Sequence, residues 1–542
     1  MSLQDYDDRK GPGARVFISY KRAKPDQELA MNIYTALRQQ HDVFIDREIL
    51  VGMQWADRIN EALRQADYFV VLLSPQSSRS EMVTGELEIA RDLAAERPDR
   101  RPRILPVLMS SLTELRYPLS AYFRYVQCAQ WSKPEDTETV IEQLLESIAY
   151  GCNDDDWPPP TRPVGRPADS SQASAHVELG QLPLPGMPLP SGWPPPQGAL
   201  PFDTSHYIER PQDGRVYDRI RQPGATISVC GPRQIGKTSL LARVAHQARQ
   251  IGKQVAWIDF QLFDENVLAD ARIFYQQFCG RISDMLGIES QVEAFWKDNN
   301  GDAFTAERYI DRYVLPRSGP LMLIMDKVER VLEAPLCADF FSMLRSWHDG
   351  RALVDNNLQR LDIVLAASTE PKLWIPDPER SPFTVGLRVD LDDFSYQQVQ
   401  QLNESYGSHL NDHQLLRLMN LLHGHPYLIH HAIYCVANEN YDPDSLFERA
   451  RRDDSPFADH LKHLLLRLSG TPELTQGMRR VLARQTCRDE RLYVRLRGAG
   501  LVRRKDERRP THVLPSRQLY HDYFSDRLRP APSWQPWRIF SW

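Results

Sequence analysis

Gly231-Pro232-Arg233-Gln234-Ile235-Gly236-Lys237-Thr238 meets every fixed position of the pattern G-x-x-x-x-G-K-[ST]. Glycines at these places let the backbone turn its amides around phosphate oxygens, the lysine reaches the outer phosphates, and the threonine hydroxyl can ligate Mg²⁺. The chemistry is that of a nucleotide site, with Gly231, Arg233, Gly236, Lys237, Thr238 and Ser239 as candidate contacts. Downstream, the apolar run Leu321–Met325 ends in Asp326, placed so that a strand-end carboxylate reaches Mg²⁺ directly or through water. Thr238 and Asp326 are the expected Mg²⁺ ligands. A third acid stands out by its surroundings. At 100° per residue, Met82, Val83, Leu87, Ile89, Ala90, Leu93 and Ala94 share one arc of about 160°, and Glu86 falls inside it. A carboxylate on an apolar face must be paired, protonated or functional, so either a structural ion pair or a catalytic role fits.

These groups need strands and helices to hold them. Ala225–Cys230 reads as a buried strand and Ser239–Ala245 as the helix whose first amides face the phosphates. Val255–Phe260, Leu321–Asp326 and Asp362–Ala367 supply further strands, the last leading to Ser368, the candidate polar sensor. Before residue 150 the chain again alternates: strands at Val16–Tyr20, Asp42–Ile45, Tyr68–Leu73, Ile104–Leu108 and Tyr125–Gln127, with helices at Gln27–Gln39, Ala56–Gln65, Glu81–Ala95 and Glu135–Ala149. Such alternation predicts α/β domains with parallel sheets, whose ligands sit beyond the carboxyl ends of the strands. Between the two halves, Trp157–Pro201 holds 13 of the chain's 40 prolines and cannot form a core, so it reads as a semi-rigid spacer.

Arg15–Tyr20, Phe44-Ile45-Asp46, Gly52–Trp55, Leu73-Ser74-Pro75 and the Ser80-x5-Glu86-Leu87 stretch resemble bacterial Toll/interleukin-1 receptor (TIR) domains over residues 14–132. The resemblance implies a flavodoxin-like fold and NAD⁺ glycohydrolase activity, with Glu86 at the position of the catalytic glutamate. It makes Ser19, Tyr20, Lys21, Asp46 and Trp55 candidate contacts to NAD⁺. Tyr20 and Trp55 also fit as core aromatics, and Lys21 as a solvated charge. Met82-Val83 stand where the family often has Trp-Cys.

His206–Pro211, the P-loop, Asp339–Phe341, Pro382–Gly386 and Gly424–Leu428 resemble AAA-like ATPases of the STAND class, the relatives of NLR sensors, over residues 202–440. The resemblance implies a switch that assembles on binding ATP, with Pro426 touching the nucleotide. Gly424-His425-Pro426 alone reads as a turn. Where that class usually carries a water-orienting acid after the strand-end aspartate, this chain has Lys327. Glu329 is expected to point elsewhere, so ATP binding with slow or absent hydrolysis is expected.

Seven parts result: a flexible start (1–13), a TIR domain (14–150), the proline-rich linker (151–201), the nucleotide-binding domain (202–390), a helical domain (391–454), a winged helix (455–528) and an aromatic tail (529–542). A net charge of -6 gives no global basic footprint from which nucleic acid binding could be argued. The cluster Arg497, Arg503, Arg504, Lys505, Arg508 and Arg509 nevertheless keeps a DNA-binding winged helix, and so an ATP-dependent transcription regulator, open as an alternative beside a non-enzymatic TIR adaptor. Nucleic acid is not the expected partner, because winged helices in STAND proteins more often serve structural and autoinhibitory roles. Seven scattered cysteines, without C-x-x-C spacing, and the lack of any long apolar run read as a cytoplasmic protein off the membrane. The expected partner is a second copy, through both the TIR and the AAA-like domains, under a phage or cellular trigger.

Overall fold

All six residues of Tyr68–Leu73 are buried, five of them with no exposed surface at all. A strand buried on both faces belongs in the middle of a parallel sheet covered by helices. The computed structural model describes residues 13–46, 55–109, 119–123, 126–150, 196, 198–297, 301–332, 334–352, 357–368, 381–439, 441–506 and 508–528. Most of the linker, the aromatic tail and the Gly52–Gln54 part of the second-strand loop lie outside them.

Two units form, the first from Met1–Trp193 with Gln261–Asp270, the second from Pro194–Phe260 with Ala271–Trp542. In the first unit the order is β1 (Arg15–Ser19), α1 (Asp26–Leu37), β2 (Asp42–Ile45), α2 (Trp55–Gln65), β3 (Tyr68–Leu73), α3 (Glu81–Glu96), β4 (Arg103–Met109), α4 (Leu119–Tyr122), β5 (Ala129–Trp131) and α5 (Thr137–Tyr150). All five strands are parallel in the order β2-β1-β3-β4-β5. The order reverses between β1 and β3, which is where ligands sit in this topology. The fifth strand corrects the sequence reading. Ala129–Trp131, not Tyr125–Gln127, pairs with Val107–Met109, and the Trp131 indole donates to Thr137 Oγ1 at 3.0 Å.

The second unit builds its sheet from β6 (Thr226–Cys230), β7 (Gln254–Asp259), β8 (Leu321–Asp326), β9 (Leu361–Ala367) and β10 (Leu387–Asp390), parallel in the order β10-β6-β9-β8-β7. Around it lie α6 (Pro211–Ile220), α7 (Lys237–Gln250), then, beyond the short α8 (Glu265–Ala269) of the first unit, α9 (Ala271–Met285), α10 (Val292–Phe295), α11 (Asp302–Tyr309), α12 (Leu315–Ser318) and α13 (Cys337–Gly350). The core between α6, α7 and the sheet centres on Val216, Ile227, Val229, Leu240, Leu241 and Val244.

Four helices follow, α14 (Tyr396–Ser405), α15 (Asp412–Leu422), α16 (Pro426–Asn438) and α17 (Pro443–Glu448), opened by Ser395, Asn411, His425 and Asp442 side chains that each accept from a third-residue amide. The chain then runs through α18 (Ala458–Ser469), α19 (Pro472–Arg484), α20 (Glu490–Gly498), an antiparallel hairpin of β11 (Val502–Arg504) and β12 (Val513–Pro515), and α21 (Gln518–Arg527). Among the described residues, no helix is long and apolar enough to cross a membrane.

Candidate functional sites

In the first unit, β1 ends at Ser19 and α3 begins after the cap at Ser80, whose hydroxyl accepts from Val83 N at 3.3 Å. That cap sets the rotation of α3. It sends Glu86 inward, 6% exposed, to accept a 2.6 Å hydrogen bond from the Ser19 hydroxyl, itself 1% exposed. The pair lies at the β1/β3 switch point, on the carboxyl side of the sheet.

A second buried acid stands at the same strand ends and was not read from sequence. Asp26 heads α1 and is wholly buried; it accepts from Ser74 Oγ at 2.8 Å, just past β3. Burial pushes its carboxyl above the usual range, against the pull of the Ser74 and Ser77 hydrogen bonds. An acid in the first turn of a helix reads as a partner of the helix dipole, and nothing in its spacing announces burial.

The other predicted contacts are spread out. Tyr20 is buried and belongs to the core cluster that also holds Leu29 and Ile33. Asp46 pairs with Arg22 Nε at 2.8 Å. Lys21 is half-buried, as is Trp55 where α2 begins.

In the second unit, Gly236 stands at the head of α7 with φ 104°, a conformation glycine adopts without strain. The turn brings Lys237 back under the loop, where Nζ donates to Gly231 O and Pro232 O, both at 2.8 Å. Burial pulls the Lys237 ammonium down to about 8, opposed by the charges of Glu329 and Asp326. Burial likewise pushes Asp326 up to about 6, with the Lys327 charge opposing. Thr238 Oγ1 donates to Asp326 Oδ2 at 2.9 Å. Two hard oxygen donors thus sit side by side beside an α7 N-terminus, a set that fits Mg²⁺ held jointly with phosphate. Among the described residues no group of three His, Cys, Asp or Glu side chains could hold a metal.

The expectation for Glu329 needs correction. Lys327 takes a left-handed backbone, φ 59°, and Val328–Val331 form a tight helical turn. The turn swings Glu329 back over the strand ends, where Oε2 accepts from Ser368 N at 3.2 Å. Lys327 Nζ goes instead to Asp259 Oδ2 at 2.8 Å.

Of the remaining predicted residues, Arg233 N donates to Gly498 O at 3.3 Å, at the end of α20. The Ser239 hydroxyl accepts from Leu200 N at 3.0 Å, so the last residues assigned to the linker are tied to α7. Pro426 opens α16, where its missing N–H costs nothing. The glycine before it is explained by packing, because a Cβ at Gly424 (φ 75°) would lie 2.2 Å from Phe394 O.

Three groups around this site were missed as functional candidates. Asp259 ends β7 as the Lys327 partner. Arg210 is buried with its guanidinium donating to Ile235 O at 2.7 Å, over the Phe394 ring. Arg517, at the head of α21, forks onto Asp393 at 2.5 and 2.7 Å. Asp259 lies inside the Val255–Phe260 run and Arg210 inside the His206–Pro211 stretch, neither marked by a spacing of its own, and Arg517 lies far from the P-loop in sequence.

Comparison with known proteins matches the AAA-like domain model over residues 195–526 and the TIR domain model over residues 16–145. An uncharacterised WD repeat-containing protein of Synechocystis is 24% identical over 205 residues, 36% of this chain and 17% of its own length. The chain therefore spans only a small part of that relative. Similar solved structures include a Walker-type ATPase of Pyrococcus abyssi, 12% identical at TM-score 0.39, covering 59% of this chain and 96% of that one. The Aeropyrum pernix ORC2 protein is 15% identical at TM-score 0.36, covering 60% and 95%. The TIR domain of a Toll-related receptor from Hydra magnipapillata is 19% identical at TM-score 0.20, covering 25% and 98%.

Proposed function

Because the chain belongs to the AAA-like domain family and carries a TIR domain at its N-terminal end, we propose that it is an ATP-controlled defence switch. In this reading ATP drives copies of the chain together through both domains, and assembly turns on NAD⁺ glycohydrolysis in the TIR domain. The resulting loss of NAD⁺ serves anti-phage defence, with a phage or cellular signal as trigger. A STAND-type helical region and winged helix would carry the nucleotide state to the rest of the chain.

The observation that carries this reading is the buried Ser19–Glu86 pair at the switch point of a TIR sheet, in a chain that also places Lys237 and Asp326 at a P-loop. Breaking the nicotinamide–ribose bond builds positive charge on the sugar, as glycoside hydrolysis does. A carboxylate held in a water-poor position and aimed by a short hydrogen bond from Ser19 stabilises that charge without having to reorganise. Ser19 holds the carboxylate in place. In the second unit the P-loop amides and Lys237 would hold the ATP phosphates, and Thr238 with Asp326 would hold Mg²⁺, which supplies charge neutralisation at the phosphates when bound.

The test is NAD⁺ loss measured on size-fractionated protein with Mg²⁺ and ATP. The assembled fraction should cleave NAD⁺ and the monomer should not, and Lys237→Ala should remove assembly and cleavage together. Assembly without NAD⁺ loss would leave the TIR domain as a non-enzymatic adaptor.

A further inference from the structure

The end of β8 sends two opposite charges in opposite directions. In the sheet, β9 separates β8 from the P-loop strand β6, and β7 flanks β8 on its other side. Lys327 leaves β8 with φ 59° and places its ammonium 2.8 Å from Asp259 at the end of β7, a carboxylate only 1% exposed. That contact sets the cation against a buried carboxylate on the β7 side of the sheet. Glu329 goes the other way. The turn Val328–Val331 carries it across to β9, onto the Ser368 amide at 3.2 Å. The acid therefore stands on the phosphate side of Asp326, and the cation on the far side. Lys237 registers this arrangement, since Glu329 does more than Asp326 to hold its charge against burial.

We propose that Glu329 orients and deprotonates the water that attacks the terminal phosphate of bound ATP, so that this chain hydrolyses ATP in spite of Lys327. The inference rests on the nucleotide reading of the P-loop. In the step, the water oxygen forms a bond to the γ-phosphorus as the bond to the β–γ bridging oxygen breaks. ADP leaves with that electron pair, and the water's proton passes to the Glu329 carboxylate and from there to the released phosphate. Ser368, through its backbone N–H, positions the acid. Lys327 contributes by neutralising Asp259, not by meeting the nucleotide.

The experiment compares the full-length wild type with Glu329→Gln in three readouts: affinity for a fluorescent ATP analogue with Mg²⁺, single-turnover hydrolysis of labelled ATP, and the nucleotide recovered with the purified protein. Glutamine keeps the shape and the hydrogen bond from Ser368 but cannot take a proton. Hydrolysis should fall about 100-fold or more, while affinity stays within about threefold. The variant should also be recovered with ATP where the wild type carries ADP. Wild-type hydrolysis by Glu329→Gln, or ATP binding without turnover in both proteins, would overturn the inference and leave the nucleotide reading standing. A wild type that binds no ATP would overturn both.

Discussion

Replacing Lys237 by methionine should abolish nucleotide binding yet leave the empty protein at least as stable as the wild type. Lys237 is 7% exposed and burial pulls its ammonium from 10.5 to about 8. At about 1.4 kcal/mol per unit, keeping it charged at neutral pH costs about 3 kcal/mol. Methionine fills similar space and removes that cost. It also removes two hydrogen bonds to Gly231 O and Pro232 O, worth about 1 kcal/mol each. The balance favours the variant by about 1 kcal/mol, a rise of about 1–2 °C in the melting temperature of a unit this size. The wild type should recover on ligand binding, gaining about 2.7 kcal/mol at a hundredfold excess of ATP over Kd. The variant should show no such gain. Because the folded-state pKa lies below the unfolded one, the unfolded chain holds the extra proton between about pH 8 and pH 10.5. Wild-type stability should climb across that window, while the variant lacks the climb. Thermal melts with and without Mg²⁺-ATP across this pH range read all three effects. An empty variant less stable than the wild type by 3 kcal/mol or more, as an order of magnitude set by the same conversion, or one still stabilised by ATP, would refute the reasoning.

Three further outcomes follow from the packing. Asp393→Leu strips the buried Arg517 guanidinium of its forked partner and should cost about 2 kcal/mol, below the range for a fully enclosed pair because Asp393 is 34% exposed; urea denaturation reads the loss, and a second change, Arg517→Met, should restore much of it. Ser19→Ala leaves Glu86 short of its 2.6 Å donor and should destabilise the first unit by about 1–3 kcal/mol, whereas Ser19→Thr, which keeps the hydroxyl, should lose less. Gly424→Ala meets both a left-handed φ of 75° and a 2.2 Å approach to Phe394 O, so the strained backbone alone should cost about 1–3 kcal/mol in the same denaturation assay.

Much of this was legible because apolar runs and phosphate-binding glycines leave local marks. The P-loop, Asp326 and the parallel strands around them read directly from spacing, and Glu86 announced itself as an acid inside an apolar arc. What escaped was set by backbone turns and distant partners. A left-handed Lys327 cannot be read from its letter, yet that one dihedral decides that the lysine meets Asp259 and that Glu329 reaches Ser368. Asp26 looked like any first-turn acid until Ser74, 48 residues away, closed over it. The fifth strand was misplaced because Val126 is apolar but exposed, and the pairing with β4 is made later, at Ala129–Trp131.

The central claim is that Glu86 cleaves NAD⁺ under the control of an ATP-driven assembly, and the most direct measurement is NAD⁺ consumption by assembled, ATP-loaded wild type beside Glu86→Gln. Glutamine keeps the volume and the hydrogen bond from Ser19 but removes the charge that would face the developing cation. The account predicts NAD⁺ loss by the wild type and a fall of about 100-fold or more in the variant, with assembly and melting temperature unchanged. Cleavage retained by an equally folded Glu86→Gln protein would contradict it.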